Sequence, residues 1–218
     1  MVTHNKKFHD GSVVRQIGRL VMIGMVGLCL SFGLALSQAF AGPPTDSMKG
    51  TIDEVLRIIR DKELKQAAKA EERRSLLEKV VAERFDYQEM SRRALGAPWN
   101  QLSDKEKQEF VSLFQTLLTS SYAEKVESYS GEGVQYLNER TEKDYAEVRT
   151  KILSGKTEIP LDYRLLNRGT DWRVYDVVVD GVSLVNNYRG QFTKILRASS
   201  YPDLVDQLRK KSDKLKSP

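Results

Sequence analysis

The side chains best suited to acid–base, nucleophilic or metal chemistry are concentrated at the amino terminus of this chain. Of its 218 residues, two are histidine and one is cysteine, and His4, His9 and Cys29 all precede residue 42. A chain that begins at Gly42 would therefore have no histidine proton relay, no cysteine nucleophile and no thiolate or imidazole metal ligand. Most enzyme mechanisms are excluded for that part of the sequence.

The first 41 residues have the pattern of a secretory leader. Positive charges precede an uncharged apolar run at 20–36, and Ala39-Phe40-Ala41 follows it as the small-x-small pattern that signal peptidase reads. We therefore expect cleavage after Ala41 and export through the Sec pathway into the bacterial periplasm. A retained membrane anchor is one alternative, although the 17-residue run is slightly shorter than the roughly 20 residues of a full span. A lipoprotein acylated at Cys29 is another, although Leu28 stands where such sites need a small residue.

Ser183 is the remaining candidate nucleophile, because Gly181-x-Ser183 matches half of a hydrolase nucleophile elbow. Val185 stands where the elbow has its second glycine, and no histidine follows residue 41 to activate the hydroxyl group. The serine lies where a predicted strand is followed by a helix, a position that favours helix caps. The sequence therefore predicts a cap at Ser183 and a protein that is not an enzyme.

The chain from Gly42 onward is predicted to be one domain, 42–218. Its 177 residues are enough to bury a sizeable core. The leader holds four of the 35 basic residues and one of the 30 acidic residues, so 31 and 29 remain and the formal net charge becomes +2. Such a mixed surface does not predict nucleic-acid binding.

Helical periodicity dominates the first half of this domain. Apolar residues share a helical face at 48–59, at 76–81 and at 85–95, whereas the charged stretch 61–74 is expected to be a solvated face or loop. Ser103-Asp104-Lys105-Glu106 is a capping box that opens a long helix. That helix has the strongest apolar stripe in the chain, formed by Phe110, Val111, Phe114, Leu117, Leu118, Tyr122 and Val126.

The apolar period changes to two in the second half, which predicts strands. The alternation indicates an antiparallel meander with strands at 134–137, 145–152, 159–165 and 172–179. Helical spacing returns from Val182, and the basic tail 209–218 is expected to fray. This order of elements predicts an α+β fold in which helices wrap one face of a twisted antiparallel sheet.

Two segments, taken together with their order and spacing, resemble one known family. The first has the pattern LG..W and then F...F..LL...Y, over 95–122. The second, W.VYDV.VDGVSLV.NYR.QF, covers 172–192. They resemble the MlaC family, also called the toluene-tolerance or Ttg2D-like family, and the resemblance extends over 52–208. The charged stretch 61–74 and the basic tail depart from the family pattern.

The resemblance implies a periplasmic phospholipid carrier with an apolar lipid cavity between its helices and its sheet. Such a carrier exchanges glycerophospholipid between an outer-membrane MlaA–porin complex and the inner-membrane ABC transporter MlaFEDB, where it docks on the MCE-domain subunit MlaD. This exchange maintains outer-membrane lipid asymmetry. The family implies no cofactor, no metal and no catalysis, and it does not imply the direction of transport.

Apolar residues of the long helix and of the sheet are the candidate lipid contacts under this resemblance. If the helix stripe and the sheet face touch, they form an ordinary core, and if they are held apart, the gap is a pocket for acyl chains. The sequence leaves both possibilities open. The candidates are Leu95, Trp99, Phe110, Phe114, Leu117, Val148, Ile152, Leu161, Tyr163, Tyr175, Val177, Val182, Leu184, Val185 and Phe192.

Charged residues near these motifs suggest further contacts. Asp176 lies within an apolar strand and is a candidate for a buried ion pair with Arg189. Arg92 and Arg93 could meet a lipid phosphate, although solvent-facing helix positions are the simpler interpretation.

Three other functions are compatible with the sequence. A carrier of another lipid, of the hopanoid type, would share the fold, and a periplasmic scaffold or chaperone would hold polypeptide in the same apolar cleft. A lipid hydrolase would need Ser183 to react. The material that co-purifies with the protein distinguishes the first two from a phospholipid carrier.

Overall fold

Six α-helices and a five-stranded sheet make up the part of the chain that a computed structural model describes, residues 42–127, 129 and 133–216. Short 3-10 turns precede α2 and follow α3. The helices are α1 (Pro43–Arg60), α2 (Ala70–Arg84), α3 (Tyr87–Leu95), α4 (Asp104–Glu127), α5 (Leu184–Ala198) and α6 (Tyr201–Lys216). The predicted leader lies outside the described residues, so cleavage after Ala41 stays a prediction.

The strands form one antiparallel sheet in the order β1-β2-β3-β4-β5. At the last turn, Asp180 and Gly181 have φ angles of 49° and 79°, the left-handed pair that a two-residue hairpin turn requires. The strands are β1 (Gly133–Glu142), β2 (Tyr145–Ser154), β3 (Thr157–Asn167), β4 (Trp172–Val179) and β5 (Val182–Ser183). Helices packed on an antiparallel sheet confirm the predicted α+β fold.

The two faces of the sheet differ because side chains alternate along each strand. In β2, Ala146, Val148 and Thr150 are buried, whereas Tyr145 and Arg149 between and beside them are exposed. Helix α1 packs against the buried face, which we call the inner face. The opposite, outer face carries mainly charged side chains on its central strands.

The amino terminus of α1 is held on β1 by the carboxylate of Glu139. Its Oε2 accepts hydrogen bonds from Gly42 N at 3.2 Å, Thr45 N at 2.9 Å and Thr45 Oγ1 at 2.5 Å. The first N–H groups of a helix have no intrahelical partner, and the helix dipole places positive potential there. The carboxylate therefore caps α1 from a strand that lies 94 residues further along the chain.

Removal of this cap is expected to destabilise the protein moderately. Glu139→Ala leaves the amide groups without their acceptor, and we expect the free energy of unfolding to fall by about 1–2 kcal/mol. Urea denaturation measures the loss. Glu142→Ala, at an exposed position on the same strand, is the control, and an equal loss in both variants would contradict a specific cap.

Helices α3 to α6 form a second apolar cluster, in which α4 packs mainly against α6 and α3, while α3 packs against α5. Phe85 contacts both this cluster and the inner face of the sheet. It lies beside β4, where Asp86 N donates a hydrogen bond to Val174 O at 2.8 Å. Asp86 also caps α3 through Glu89 N, so the helical cluster begins directly at the edge of β4.

Three predicted boundaries were wrong. Val182 does not begin a helix but pairs with Val179 as part of β5, because the Asp180–Gly181 turn sends the chain back along β4. The tail does not fray at 209, since α6 continues to Lys216 with Leu208 packed in the helical cluster. β1 begins at Gly133 and is longer than 134–137. Among the described residues, no helix is both long and apolar enough to cross a membrane.

Candidate functional site

The inner face of the sheet and the facing side of α1 enclose a layer of apolar side chains, which we call the α1–sheet layer. Helix α1 contributes Met48, Ile52 and Leu56, spaced four residues apart so that they share one helical face. The sheet contributes Ala146, Val148, Tyr163, Leu165, Val174 and Val177, with Leu161, Trp172, Val179 and Leu184 half-buried beside them. A helix resting on a sheet through such a layer could admit hydrocarbon between the two.

Three hydroxyl groups interrupt the apolar lining of the inner face. The register places Tyr136 opposite Thr150 and Tyr163 opposite Val148, so all three hydroxyl-bearing side chains lie on this face. Thr150 Oγ1 donates to Leu161 O at 2.5 Å. The buried hydroxyl of Tyr136 has no hydrogen-bond partner within the described part of the chain. Burial raises the pKa of both tyrosines, so both are protonated donors at neutral pH.

The helical cluster is centred on aromatic rings. Phe114 has its ring centroid 5.2 Å from that of Tyr188, 5.5 Å from that of Phe192 and 6.0 Å from that of Phe110. Trp99 adds an edge contact to Phe110 at 6.5 Å. Phe110 and Phe114 are fully buried in this arrangement. Rings that pack edge to face or stacked at these separations are typical of a folding core.

Twelve of the fifteen predicted lipid contacts are divided between these two clusters, and the long helix does not supply the wall opposite the sheet. Instead, α1 covers the inner face, while the stripe of α4 packs among helices. Whether any of these residues touches lipid stays a prediction. The α1–sheet layer contains Val148, Leu161, Tyr163, Val177 and Leu184, and the helical cluster contains Leu95, Trp99, Phe110, Phe114, Leu117, Val185 and Phe192.

The other three predicted contacts lie in neither cluster. Ile152 is half-buried and paired with Val134 and Ile159. Tyr175 lies at an irregularity in the β3–β4 pairing, and its ring stacks with the Arg93 guanidinium, whose Cζ is 4.1 Å from the ring centroid. Val182 follows the Asp180–Gly181 turn and is 56% exposed.

Asp176 ties the start of α5 to the sheet. Its Oδ2 accepts a hydrogen bond from Ser183 Oγ at 2.7 Å and its Oδ1 accepts one from Val185 N at 3.0 Å. Ser183 Oγ in turn accepts from Asn186 N at 3.0 Å, which confirms the predicted helix cap. The ion-pair partner of Asp176 is Arg164, at 3.0 Å, and not Arg189, because Arg164 is directly opposite on β3.

Glu89 collects the arginines at the end of α3. Its carboxylate accepts hydrogen bonds from Arg92 at 2.6 and 2.8 Å and from Arg93 at 2.7 Å. Arg168 approaches it to 3.9 Å. The hydrogen bonds from Arg92, and then from Arg93, lower the pKa of Glu89 to about 2, against the opposing effect of burial. The arginines named as possible headgroup contacts are therefore already engaged by this carboxylate.

Glu89 is expected to contribute to acid sensitivity. Because its folded-state pKa is below the unfolded value of about 4.3, its stabilisation is complete above that pH and is lost as the pH falls through about 2. Allowing for the exposure of Arg92, we expect about 2 kcal/mol to be lost over this window. The difference between the urea midpoints at high and low pH should therefore be smaller in Glu89→Gln than in the wild type. Glu78→Gln, at an exposed position, should keep the wild-type dependence of the urea midpoint on pH. The same dependence in all three proteins would contradict this role of Glu89.

A surface cleft of about 400 Å³ lies where β4 meets α3, lined by Phe85, Asp86, Tyr87, Arg168 and Arg173. Its arginines are paired with carboxylates: Arg168 binds Asp86 at 2.6 Å and Arg173 binds Asp171 at 2.7 Å. Because these carboxylates already neutralise both arginines, the cleft is not suited to bind an anion. No group of three or more potential metal ligands occurs among the described residues.

Sequence reasoning missed three features of the α1–sheet layer: the helix that covers it, the Tyr136 hydroxyl and the Glu139 cap. The apolar spacing of Met48, Ile52 and Leu56 is evident in the sequence, but this stripe is shorter than that of α4. The spacing also does not indicate which element the stripe packs against. Tyr136 lies in the segment that was expected to add a strand, and its alternation with Val134 could have placed it on the inner face. No local signal connects Glu139 to a helix at the other end of the domain.

Comparison with known proteins assigns the chain to a family. The family described as MlaC protein matches residues 49–210. The intermembrane phospholipid transport system binding protein MlaC of Haemophilus influenzae is 23% identical over 122 residues, covering 53% of this chain and 57% of that protein. The match thus spans less than two thirds of that relative's length.

A solved structure has the same fold. It is that of the phospholipid-binding protein from Ralstonia solanacearum in complex with a phospholipid, and it aligns with a TM-score of 0.71. The alignment has 24% sequence identity and covers 81% of this chain and all of the other. With a family match over most of the domain and this agreement in fold, the chain belongs to the MlaC protein family.

Proposed function

We propose that this protein is a periplasmic carrier of glycerophospholipid that holds the acyl chains between α1 and the inner face of the sheet. The observation that carries the proposal is the separation of two apolar clusters. The helical cluster can hold α3 to α6 together while the α1–sheet layer opens. In this proposal α1, packed on α2 through Ile58, Ile59 and Leu77, moves as part of a helical hairpin.

The energetics suit exchange between membranes. Two acyl chains contain roughly 30 methylenes in total. Burying them at about 0.8 kcal/mol per methylene corresponds to about 25 kcal/mol relative to water. That sum exceeds the practical limit of roughly 20 kcal/mol for noncovalent binding and is an upper bound. In a bilayer the chains are already dry, so transfer between bilayer and protein is nearly balanced, whereas loss into water is slow.

Membership of the MlaC family supports the following partners for the proposed carrier. An outer-membrane MlaA–porin complex and the MlaD subunit of an inner-membrane MlaFEDB transporter would exchange lipid with it, and the exchange would maintain outer-membrane asymmetry. The secretory leader predicted at residues 1–41 supports a periplasmic location. The proposal involves no catalysis, since Ser183 is engaged as a helix cap.

A matched pair of variants on β3 tests the lipid site. Leu161 and Leu166 are both half-buried, but Leu161 is on the inner face and Leu166, by alternation, is on the outer face. Leu161→Glu places a charge in the α1–sheet layer and is expected to reduce co-purified phospholipid at least tenfold, whereas Leu166→Glu should retain it. Native mass spectrometry with lipid extraction, on protein expressed from the full chain, measures both.

The same spectra distinguish the alternatives. A diacyl phospholipid adduct on the wild-type protein supports the proposal, and a polycyclic lipid would replace it with a hopanoid-type carrier. A protein that carries no lipid and takes none from liposomes would favour a scaffold or chaperone. Lipid retained in both β3 variants would move the site out of the α1–sheet layer. Ser183→Ala should leave lipid binding intact, and loss of a lipid-hydrolysing activity in that variant would favour the hydrolase.

A further inference from the structure

The hydroxyl group of Tyr136 is a buried donor without an acceptor. It is inaccessible to solvent, and none of the described residues offers it a hydrogen bond. Buried polar groups in folded proteins almost always have a partner, because an unpaired one is costly. Tyr136 shares the inner face with Thr150, whose hydroxyl is satisfied by Leu161 O. The exception at Tyr136 therefore calls for an explanation.

The surroundings of Tyr136 limit what could satisfy it. Lys49 of α1 lies over the ring, with Nζ 5.4 Å from the centroid, and it can only donate hydrogen bonds. Burial raises the pKa of Tyr136, and the negative charge of Asp53, also on α1, raises it further. Tyr163, on the same face, is a second protonated hydroxyl. None of these neighbouring groups accepts a hydrogen bond from the Tyr136 hydroxyl.

The chemistry of the missing acceptor follows from its environment. A phosphate would bring a charge into an apolar layer, which is costly, and a bare hydrocarbon has no acceptor at all. An ester carbonyl is neutral, accepts hydrogen bonds, and is covalently joined to the acyl chain that the layer would bury. Each acyl chain of a glycerophospholipid begins with such a carbonyl.

We infer that the Tyr136 hydroxyl donates a hydrogen bond to an ester carbonyl of a bound diacyl glycerophospholipid and so fixes the depth to which the acyl chains enter the α1–sheet layer. The inference rests on the proposed function and adds to it a preference for ester-linked over ether-linked chains. Tyr163 lies on β3, two residues after Leu161, which is the β3 residue opposite Thr150. From this position on the inner face it can support the same polar contact.

Two lipids that differ only at the carbonyl test this inference. Delipidated protein, expressed from the full chain, is incubated with vesicles of dipalmitoyl phosphatidylcholine or of its dihexadecyl diether analogue, and bound lipid is quantified by mass spectrometry. We expect the wild type to bind the diester about fivefold more tightly than the diether, because one hydrogen bond usually contributes about that factor to affinity. Tyr136→Phe should bind both equally. Its melting temperature should equal or exceed that of the wild type, because the variant removes an unpaired buried hydroxyl.

Tyr188→Phe is the matched control, since Tyr188 is a buried tyrosine in the helical cluster. It should keep the fivefold preference. Tyr136→Phe that keeps the preference, or a wild type that binds both lipids equally, overturns the inference while leaving the carrier function intact. A wild type that binds neither lipid overturns the proposed function itself.

Discussion

Replacement of Phe114 by alanine is expected to lower the free energy of unfolding by about 4 kcal/mol. The ring is fully buried and has three aromatic neighbours, Phe110, Tyr188 and Phe192, with centroids within 6.0 Å. Truncation removes the transfer energy of the ring and leaves a cavity that these rigid neighbours cannot fill. The loss should therefore be at the upper end of the range for core truncations.

Urea denaturation of Phe114→Ala, followed by tryptophan fluorescence, measures this loss. Leu113→Ala, one residue earlier on α4 and only half-buried, is the control and should cost about 1 kcal/mol. The residual folded protein should still carry lipid if the α1–sheet layer is the site. Loss of lipid with little loss of stability would instead place Phe114 in a ligand cavity.

Asp176→Ala is expected to destabilise the protein by about 3 kcal/mol. Asp176 is buried, and its carboxylate accepts hydrogen bonds from Ser183 Oγ and Val185 N and pairs with Arg164. Removing it leaves the buried Val185 N–H without an acceptor and leaves Arg164 paired with Glu147 alone, at 3.6 Å. The start of α5 would then lose its attachment to β4.

Hydrogen exchange in the first turn of α5, together with urea denaturation, measures the effect of Asp176→Ala. Arg164→Met removes the ion pairs of Arg164 with Asp176 and Glu147 but keeps the acceptor of Val185 N. Because the arginine is about one-third exposed, this variant should cost about 1 kcal/mol or less. Asp176→Asn keeps an acceptor for Val185 N and should fall between the two. If Arg164→Met were as costly as Asp176→Ala, the ion pair rather than the helix attachment would be the important contact.

Local chemistry made much of the fold predictable. The capping box at Ser103 forms as expected, with Glu106 accepting from both the amide and the hydroxyl of Ser103. The alternation of β2 and β3 gave their faces correctly, because one face is buried and the other is wet. Boundaries were less accurate where a tertiary contact decides them, as in α6, which continues past residue 209 because Leu208 is buried in the helical cluster.

The site was less predictable, since an apolar stripe does not specify what it faces. The helix that carries Phe110 and Phe114 is longer than the one that carries Met48 and Ile52, yet the shorter helix covers the sheet. The position of Tyr175 depends on an irregular register in the β3–β4 pairing, which alternation along one strand does not reveal. Such long-range pairings arise from topology and not from the local pattern.

The contact between Glu139 and the start of α1 also links the structure to chain processing. A Cβ at residue 42 would overlap the Glu139 carboxylate, so a larger residue there would displace this carboxylate from its capping position. If signal peptidase cleaves after Ala41, as the sequence predicts, the Gly42 amide becomes a terminal ammonium group. The hydrogen bond to Glu139 would then become an ion pair, which melting curves of the cleaved and uncleaved chains would detect. Removal of the leader would in this way strengthen the existing attachment of α1 to β1.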